Sequence, residues 1–166
     1  WIDGHLDLAY IAVRGKNIYE PCKNPMHECI SLPDLQESEV RTIFGTICTY
    51  PKSGPCGYEK SNNREGAYEA GIEQLHIYQQ LEKEGYLFIQ HTGCELSDSL
   101  SVLLLMEGAD PIRTPEDVHW WREQGLRVVG LTWAIGTRYA GGNATGGPIT
   151  EMGIDLVASL DAEKIV

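Results

Sequence analysis

The chain has 166 residues and a formal net charge of −11, from 24 acidic and 13 basic side chains. Binding to a phosphate backbone needs clustered Lys and Arg, so this balance argues against a nucleic-acid partner. No apolar run approaches the roughly 18 residues of a membrane-spanning helix, so the sequence predicts no membrane span.

The first eight residues, WIDGHLDL, predict a short strand that runs into a loop. Side chains alternate faces along a strand, so we expect His5 and Asp7 on the same side. An imidazole nitrogen and a carboxylate oxygen are suitable ligands for a divalent metal such as zinc, and Asp3 shares their face. A buried histidine held by a neighbouring carboxylate would show the same spacing, which leaves both interpretations open.

An irregular excursion and two strands are predicted in the segment up to residue 91. Three prolines and the lack of a clear period mark residues 10–39 as the excursion, with a helical turn at 32–37. β-Branched and aromatic side chains predict strands at 41–50 and 86–91.

Between those strands the sequence predicts a long helix at residues 62–84. Asn62 and Glu65 resemble a capping box, and Gly85 supplies a left-handed stop. Apolar positions at steps of three and four residues form its packing face: Ala67, Gly71, Leu75, Tyr78 and Leu81.

Residues 101–106 are almost wholly apolar and stop at Glu107, which predicts a buried parallel strand ending in a carboxylate. Catalytic groups of parallel α/β barrels lie at the carboxyl ends of strands. We therefore expect Glu107, His5 and Asp7 to meet at one mouth. A helix N-cap or a solvated loop position is the alternative role for Glu107.

The next segment predicts a strand–helix–strand unit that requires parallel pairing. Thr114 is placed to cap a helix, Pro115 takes the first helical position, and Asp117 completes the capping box. The helix ends at Gly125, and residues 126–133 predict the following strand.

A glycine-dense loop follows at residues 136–147, before a helix predicted at 151–160. It contains no Lys and matches no phosphate-binding fingerprint, so a role in shaping a substrate pocket is favoured. Arg138 in this loop is available for a substrate carboxylate, and a surface salt bridge is its alternative role.

Three motifs in order, DGHLDL (residues 3–8), EGA (107–109) and GLRVVGLTWAIGTRYAGGNATGG (125–147), resemble the membrane (renal) dipeptidase family of the amidohydrolase superfamily. The resemblance implies an α/β fold of the (β/α)8 TIM-barrel type. It also implies that His5 and Asp7 bind one zinc ion and that Glu107 bridges two.

The resemblance further implies that residues 1–166 form a single, incomplete domain, roughly the first half of the hydrolase barrel. A barrel of this type typically needs about 250 residues. The chain opens inside an apparent strand and closes at residues 164–166, which resemble the start of another. Two zinc-binding histidines and a catalytic aspartate are therefore expected beyond Val166.

The implied activity is zinc-dependent hydrolysis of dipeptides or related small amides at a two-zinc site. One position departs from the family: Trp133 stands where the family typically has a histidine that stabilises the intermediate. We assign Trp133 and Arg138 to substrate binding. The alternative function is a non-catalytic half-barrel that packs with a partner chain.

Partners and location follow from the remaining features. Half a barrel would leave open sheet edges, so we expect a homo-oligomer or association with the missing half. Five cysteines at irregular spacing do not resemble a secreted disulfide framework. They favour free thiols in a reducing compartment, and therefore the cytoplasm.

Overall fold

A computed structural model of the chain describes residues 1–23, 30–59, 62–91 and 99–166. In this part of the chain five parallel strands form one sheet, and two short antiparallel strands form a hairpin. The strands are β1 (Ile2–Leu6), β2 (Thr42–Cys48), β3 (Phe88–Ile89), β4 (Ser101–Glu107), β5 (Leu126–Gly130), β6 (Ala140–Gly142) and β7 (Gly146–Ile149).

The sheet order is β1–β2–β4. Both β3 and β5 pair with the edge of β4 that does not face β2. β3 pairs with the start of β4 at Ser101 and Val102, and β5 pairs with its end from Leu104 to Glu107. Since every pair in this sheet is parallel, the carboxyl ends of β1, β2, β4 and β5 lie along one edge.

Five α-helices and one 3-10 turn connect the strands within the described residues. Each is too short or too polar to cross a membrane. The helices are α1 (Leu8–Val13), α2 (Leu32–Glu37), α3 (Arg64–Lys83), α4 (Val118–Glu123) and α5 (Glu151–Ala162), and the 3-10 turn spans Pro115–Asp117.

The long helix α3 covers one face of the sheet, as its predicted packing face requires. All five predicted positions of that face are buried. Tyr78 packs so closely on β2 that a Cβ added to Gly45 would lie 2.7 Å from its ring. The apolar strand residues on this helix-covered face are fully buried: Ile43, Ile47, Val102, Leu104 and Met106.

The opposite face, which we call the open face, is only half-buried. Phe44, Leu103 and Leu105 alternate with the fully buried residues and remain partly accessible to solvent. The alternation also assigns Thr46, Cys48 and Glu107 to the open face. The described residues therefore cover this face only in part, and apolar side chains line it.

Local capping differs from the predictions at two helices. The side chain of Asn63, not Asn62, accepts the N–H of Gly66 at the start of α3. Thr114 precedes the 3-10 turn without a side-chain cap, and the side chain of Asp117 accepts from Arg113 Nε at 2.8 Å. Both predicted helices form nevertheless, because their apolar faces pack against the sheet.

The predicted strand 126–133 is shorter in the structure, where β5 ends at Gly130. Its free edge is continued by Val166, whose N–H donates to Arg127 O at 3.0 Å and whose carbonyl accepts from Val129 N–H at 2.8 Å. Val166 thus has the hydrogen bonds of a parallel neighbour of β5.

The glycine-dense loop is not irregular but contains the β6–β7 hairpin. A Cβ added to Gly141 would lie 2.0 Å from Gly146 O, and one added to Gly142 would lie 2.4 Å from Ala134 O. Backbone therefore packs directly on backbone here, which only glycine permits.

Candidate metal centre

Three side chains converge at the carboxyl edge of the sheet: His5, Asp7 and Glu107. One potential ligand atom from each lies within 4.8 Å of the other two. His5 Nε2 and Glu107 Oε2 are 3.2 Å apart. The three residues predicted to meet at the mouth are therefore neighbours, although His5 and Glu107 are 102 positions apart in the sequence.

His5 lies in a β-bulge of β1. The pairing of Asp3 with Ile43 and of Leu6 with Gly45 leaves one extra residue in β1. Asp3 Oδ1 accepts the N–H of His5 at 2.9 Å. Asp3 therefore supports the site through the backbone of His5, and the bulge interrupts the simple alternation on which the prediction relied.

Asp7 lies outside the strand, at the N-cap position of α1, which begins where the sequence predicted a loop. Its carbonyl accepts the N–H of Ile11 at 3.1 Å, while its side chain makes no cap hydrogen bond. Instead, Thr46 Oγ1 donates to Asp7 Oδ1 at 2.6 Å. The carboxylate is therefore held by β2 and directed to the mouth.

Solvent exposure separates this cluster from an ordinary core pair. The side chain of His5 is 47% exposed and that of Glu107 is 21% exposed. A buried histidine held by a carboxylate, the alternative considered from the sequence, is therefore not what the fold forms. The cluster faces the open side of the sheet.

Cys48 is a neighbour of the site that the sequence analysis did not single out. It pairs in register with Glu107 at the ends of β2 and β4. Burial, and after it the negative charges of Glu107 and Asp7, raise the pKa of Cys48 to about 12. The thiol is therefore protonated at neutral pH, and its position at the end of a predicted strand was the available signal.

Gln74 holds the backbone of Cys48 from α3. Its Oε1 accepts the N–H of Cys48 at 3.0 Å, and its Nε2 donates to the carbonyl at 2.8 Å. Gln74 is fully buried. It thereby pairs with both the N–H and the carbonyl of Cys48 at the end of β2, where the hydrogen bonds between strands end.

Arg138 lies in the interior, with its side chain only 4% exposed. Its Nε is 3.4 Å from Asp110 Oδ1, and its Nη1 donates to Ile112 O at 3.2 Å. Its Nη2 is buried and has no partner among the described residues. The surface salt bridge considered from the sequence is wrong, because the ion pair is buried.

Trp133 is 57% exposed in the loop that follows β5. It forms the wall of a small cavity, together with Thr49, Gly108 and Asp110. The cavity has a volume of about 20 Å³, which is room for about one water-sized group. The described residues therefore do not enclose a dipeptide here, and Trp133 is accessible from outside.

Sequence comparison alone gives no relative, since no family model and no curated protein match the chain. Solved structures do match its fold. A metallopeptidase from Rhodobacter sphaeroides, solved with a phosphinate mimic of the dipeptide L-Ala-D-Ala, is 20% identical with a TM-score of 0.79. The match covers 99% of this chain and 56% of that one.

Two further structures agree. Dipeptidase AC, a metallopeptidase of family M19, is 22% identical with a TM-score of 0.77, over 99% of this chain and 54% of its own. The probable dipeptidase PvdM from Pseudomonas aeruginosa is 12% identical with a TM-score of 0.76, over 99% and 45%. The predicted α/β fold of the TIM-barrel type is confirmed, and the chain spans about half the length of the structures it matches.

Proposed function

We propose that this chain carries part of the metal centre of a hydrolase that acts on dipeptides or related small amides. The observation that carries the proposal is the convergence of His5, Asp7 and Glu107 at the carboxyl edge of a parallel sheet. The same fold occurs in structures described as metallopeptidases and dipeptidases. The carboxyl edge is where barrel enzymes carry their catalytic groups.

The three side chains fit a zinc ion in chemistry, and the spacing of His5 and Glu107 fits as well. One imidazole and two carboxylates are ligands that zinc accepts, with bonds of about 2.0–2.2 Å. Two ligands of one tetrahedral ion are then about 3.4 Å apart. The observed 3.2 Å between His5 Nε2 and Glu107 Oε2 is close to that spacing.

Each residue has a separate part in the proposed site. His5 and Asp7 would hold one ion, and Glu107 would be shared with a second. The chemistry that zinc would supply here is a water molecule with a pKa of about 7, and therefore a nucleophile at neutral pH. Trp133 offers an exposed apolar wall to the substrate at the edge of the mouth.

The substrate role of Arg138 requires a rearrangement in this proposal. Its guanidinium is buried against Asp110, and neither Nε nor Nη2 has a hydrogen-bond partner among the described residues. A substrate carboxylate would reach it only if the Arg138 side chain turned away from Asp110. Binding of the substrate carboxylate by Arg138 is therefore the first assignment that a structure with a dipeptide analogue should check.

We further propose that residues 1–166 are one incomplete domain that a second half-barrel completes. Its open face carries half-buried apolar side chains, and Ile154 and Val157 of α5 are exposed. The matched structures are about twice as long. The missing half would supply the remaining ligands, from the same polypeptide or from a partner chain.

Metal analysis of ligand variants tests the proposal. We expect His5→Ala and Asp7→Ala to lower bound zinc, measured by elemental analysis after dialysis, and to abolish dipeptide hydrolysis by the completed barrel. His76→Ala, at an exposed position on α3, is the control and should change neither. Absence of both zinc and hydrolysis in the wild-type barrel would favour the non-catalytic half-barrel.

A further inference from the structure

We infer that Thr46 is a positioning residue that fixes the orientation of the Asp7 carboxylate toward the metal. The inference rests on the proposed function, because it assigns a task to a residue beside one of the proposed ligands. Thr46 is not itself placed to bind the ion. It acts through Asp7.

The hydrogen bond between the two side chains carries the inference. Thr46 Oγ1 lies 2.6 Å from Asp7 Oδ1 and 3.4 Å from Leu6 O, so its single proton goes to the carboxylate. A hydroxyl that donates to an ionised carboxylate forms a short, strong hydrogen bond of this length. Asp7 has no strand ladder to orient it, since β1 ends at Leu6.

Thr46 is itself held in a fixed position. It is fully buried in β2 and pairs in register with Leu105 of β4. Its carbonyl accepts a hydrogen bond from Tyr78 Oη at 3.1 Å. Tyr78 is fully buried and packs against Gly45, so the hydroxyl that reaches Asp7 projects from a rigid part of the sheet.

A fixed donor restricts rotation of the carboxylate. With Oδ1 held by Thr46, Asp7 offers its remaining lone pairs to the ion in one orientation, and binding does not have to order the side chain. Partners of metal ligands that act in this way typically contribute about 10–100-fold to metal affinity. We expect an effect of that size from Thr46.

An isosteric pair of variants tests this role in the 166-residue chain. Thr46→Val keeps the shape and removes the hydroxyl, and Thr46→Ser keeps the hydroxyl and removes the methyl group. Zn²⁺ affinity is measured by competition with a chelator, and Co²⁺ absorption reports the ligand geometry. Thermal unfolding of the metal-free variants shows whether either change alters the fold.

We expect Thr46→Val to weaken Zn²⁺ binding by about 10–100-fold and to alter the Co²⁺ spectrum, while Thr46→Ser stays near the wild type. Wild-type affinity and spectrum in Thr46→Val, alongside weakened binding in Asp7→Asn, would overturn the role of Thr46 alone. Unchanged binding in Asp7→Asn would instead remove Asp7 from the proposed ligands. Equal losses in the Val and Ser variants would also overturn the inference, because the hydroxyl would then not matter.

Discussion

Asp110 accepts the backbone N–H of Arg138 at 3.1 Å through Oδ1, the same oxygen that faces the Arg138 guanidinium. Its other oxygen accepts a 2.5 Å hydrogen bond from the hydroxyl of Tyr58. All three side chains are nearly or fully buried. The loops that follow β2, β4 and β5 are thereby tied together beside the proposed metal centre.

We expect Asp110→Asn to lower the free energy of unfolding by about 3 kcal/mol, because it leaves a buried guanidinium without its counter-charge. Urea denaturation measures the change. Glu123→Gln is the matched control, since it removes the exposed partner of Arg122 and should change stability little. A loss in Asp110→Asn no greater than in the control would show that the buried pair contributes nothing net.

Stability should fall at alkaline pH because of the same network. Burial raises the pKa of Tyr139 to about 12, and burial together with the hydrogen bond to Asp110 raises the pKa of Tyr58 above its usual range. The unfolded chain loses these protons near pH 10, so the stabilisation is complete below about pH 10 and is lost as the pH rises toward 12.

Tyr139→Phe tests this pH dependence, because the ring remains but has no phenol to ionise. Each such tyrosine contributes a slope of at most about 1.4 kcal/mol per pH unit above pH 10. We expect the variant to lose part of the slope measured by urea denaturation between about pH 8 and pH 11. Parallel curves for wild type and variant would contradict the assignment.

Glu107→Gln should be the most damaging carboxylate change at the proposed centre. The amide keeps the size of the side chain but loses the charge that offsets repulsion between two bridged cations. We expect loss of one or both metals, with loss of activity in the completed barrel. Glu163→Gln alters a similar histidine–glutamate pair, with His119 at 3.0 Å, and should leave metal content unchanged. A fully active two-metal Glu107→Gln enzyme would exclude the bridging role.

Residues 1–166 expressed alone should associate. Apolar side chains of the open face and of α5 remain accessible, and unpaired strand edges recruit other strands. Size-exclusion chromatography with light scattering should show a mass above that of one chain, alongside no dipeptide hydrolysis. Ile154→Lys with Val157→Lys should reduce the association. A monomeric wild-type chain that hydrolyses dipeptides would refute the incomplete-domain proposal.

The sheet and the meeting of His5, Asp7 and Glu107 could be predicted because both depend on local pattern. Apolar runs predict strands, strand–helix–strand spacing predicts parallel pairing, and parallel strands bring their carboxyl ends together. The contact of Glu107 with a histidine more than a hundred positions earlier is in keeping with that shared edge.

The supporting contacts could not be predicted, because each depends on a partner distant in sequence or on a local irregularity. The bulge at His5, the donation from Thr46 to Asp7 and the burial of Arg138 against Asp110 leave no periodic signal in the sequence. The N-cap of α3 was predicted at Asn62 but is Asn63. The reason is similar, since neighbouring residues compete for the same backbone donors.

The β6–β7 hairpin has a consequence for how this edge of the protein moves. Glycine usually loosens a loop, but here Gly141 and Gly142 bring backbone against backbone with no space for even a methyl group. Thr145 adds hydrogen bonds to the N–H groups of Gly136 and Gly142, both at 3.1 Å. The amide hydrogens of Gly136 and Gly142 should therefore exchange with deuterium slowly. We expect this segment to be a rigid support beside Trp133 and not a hinge.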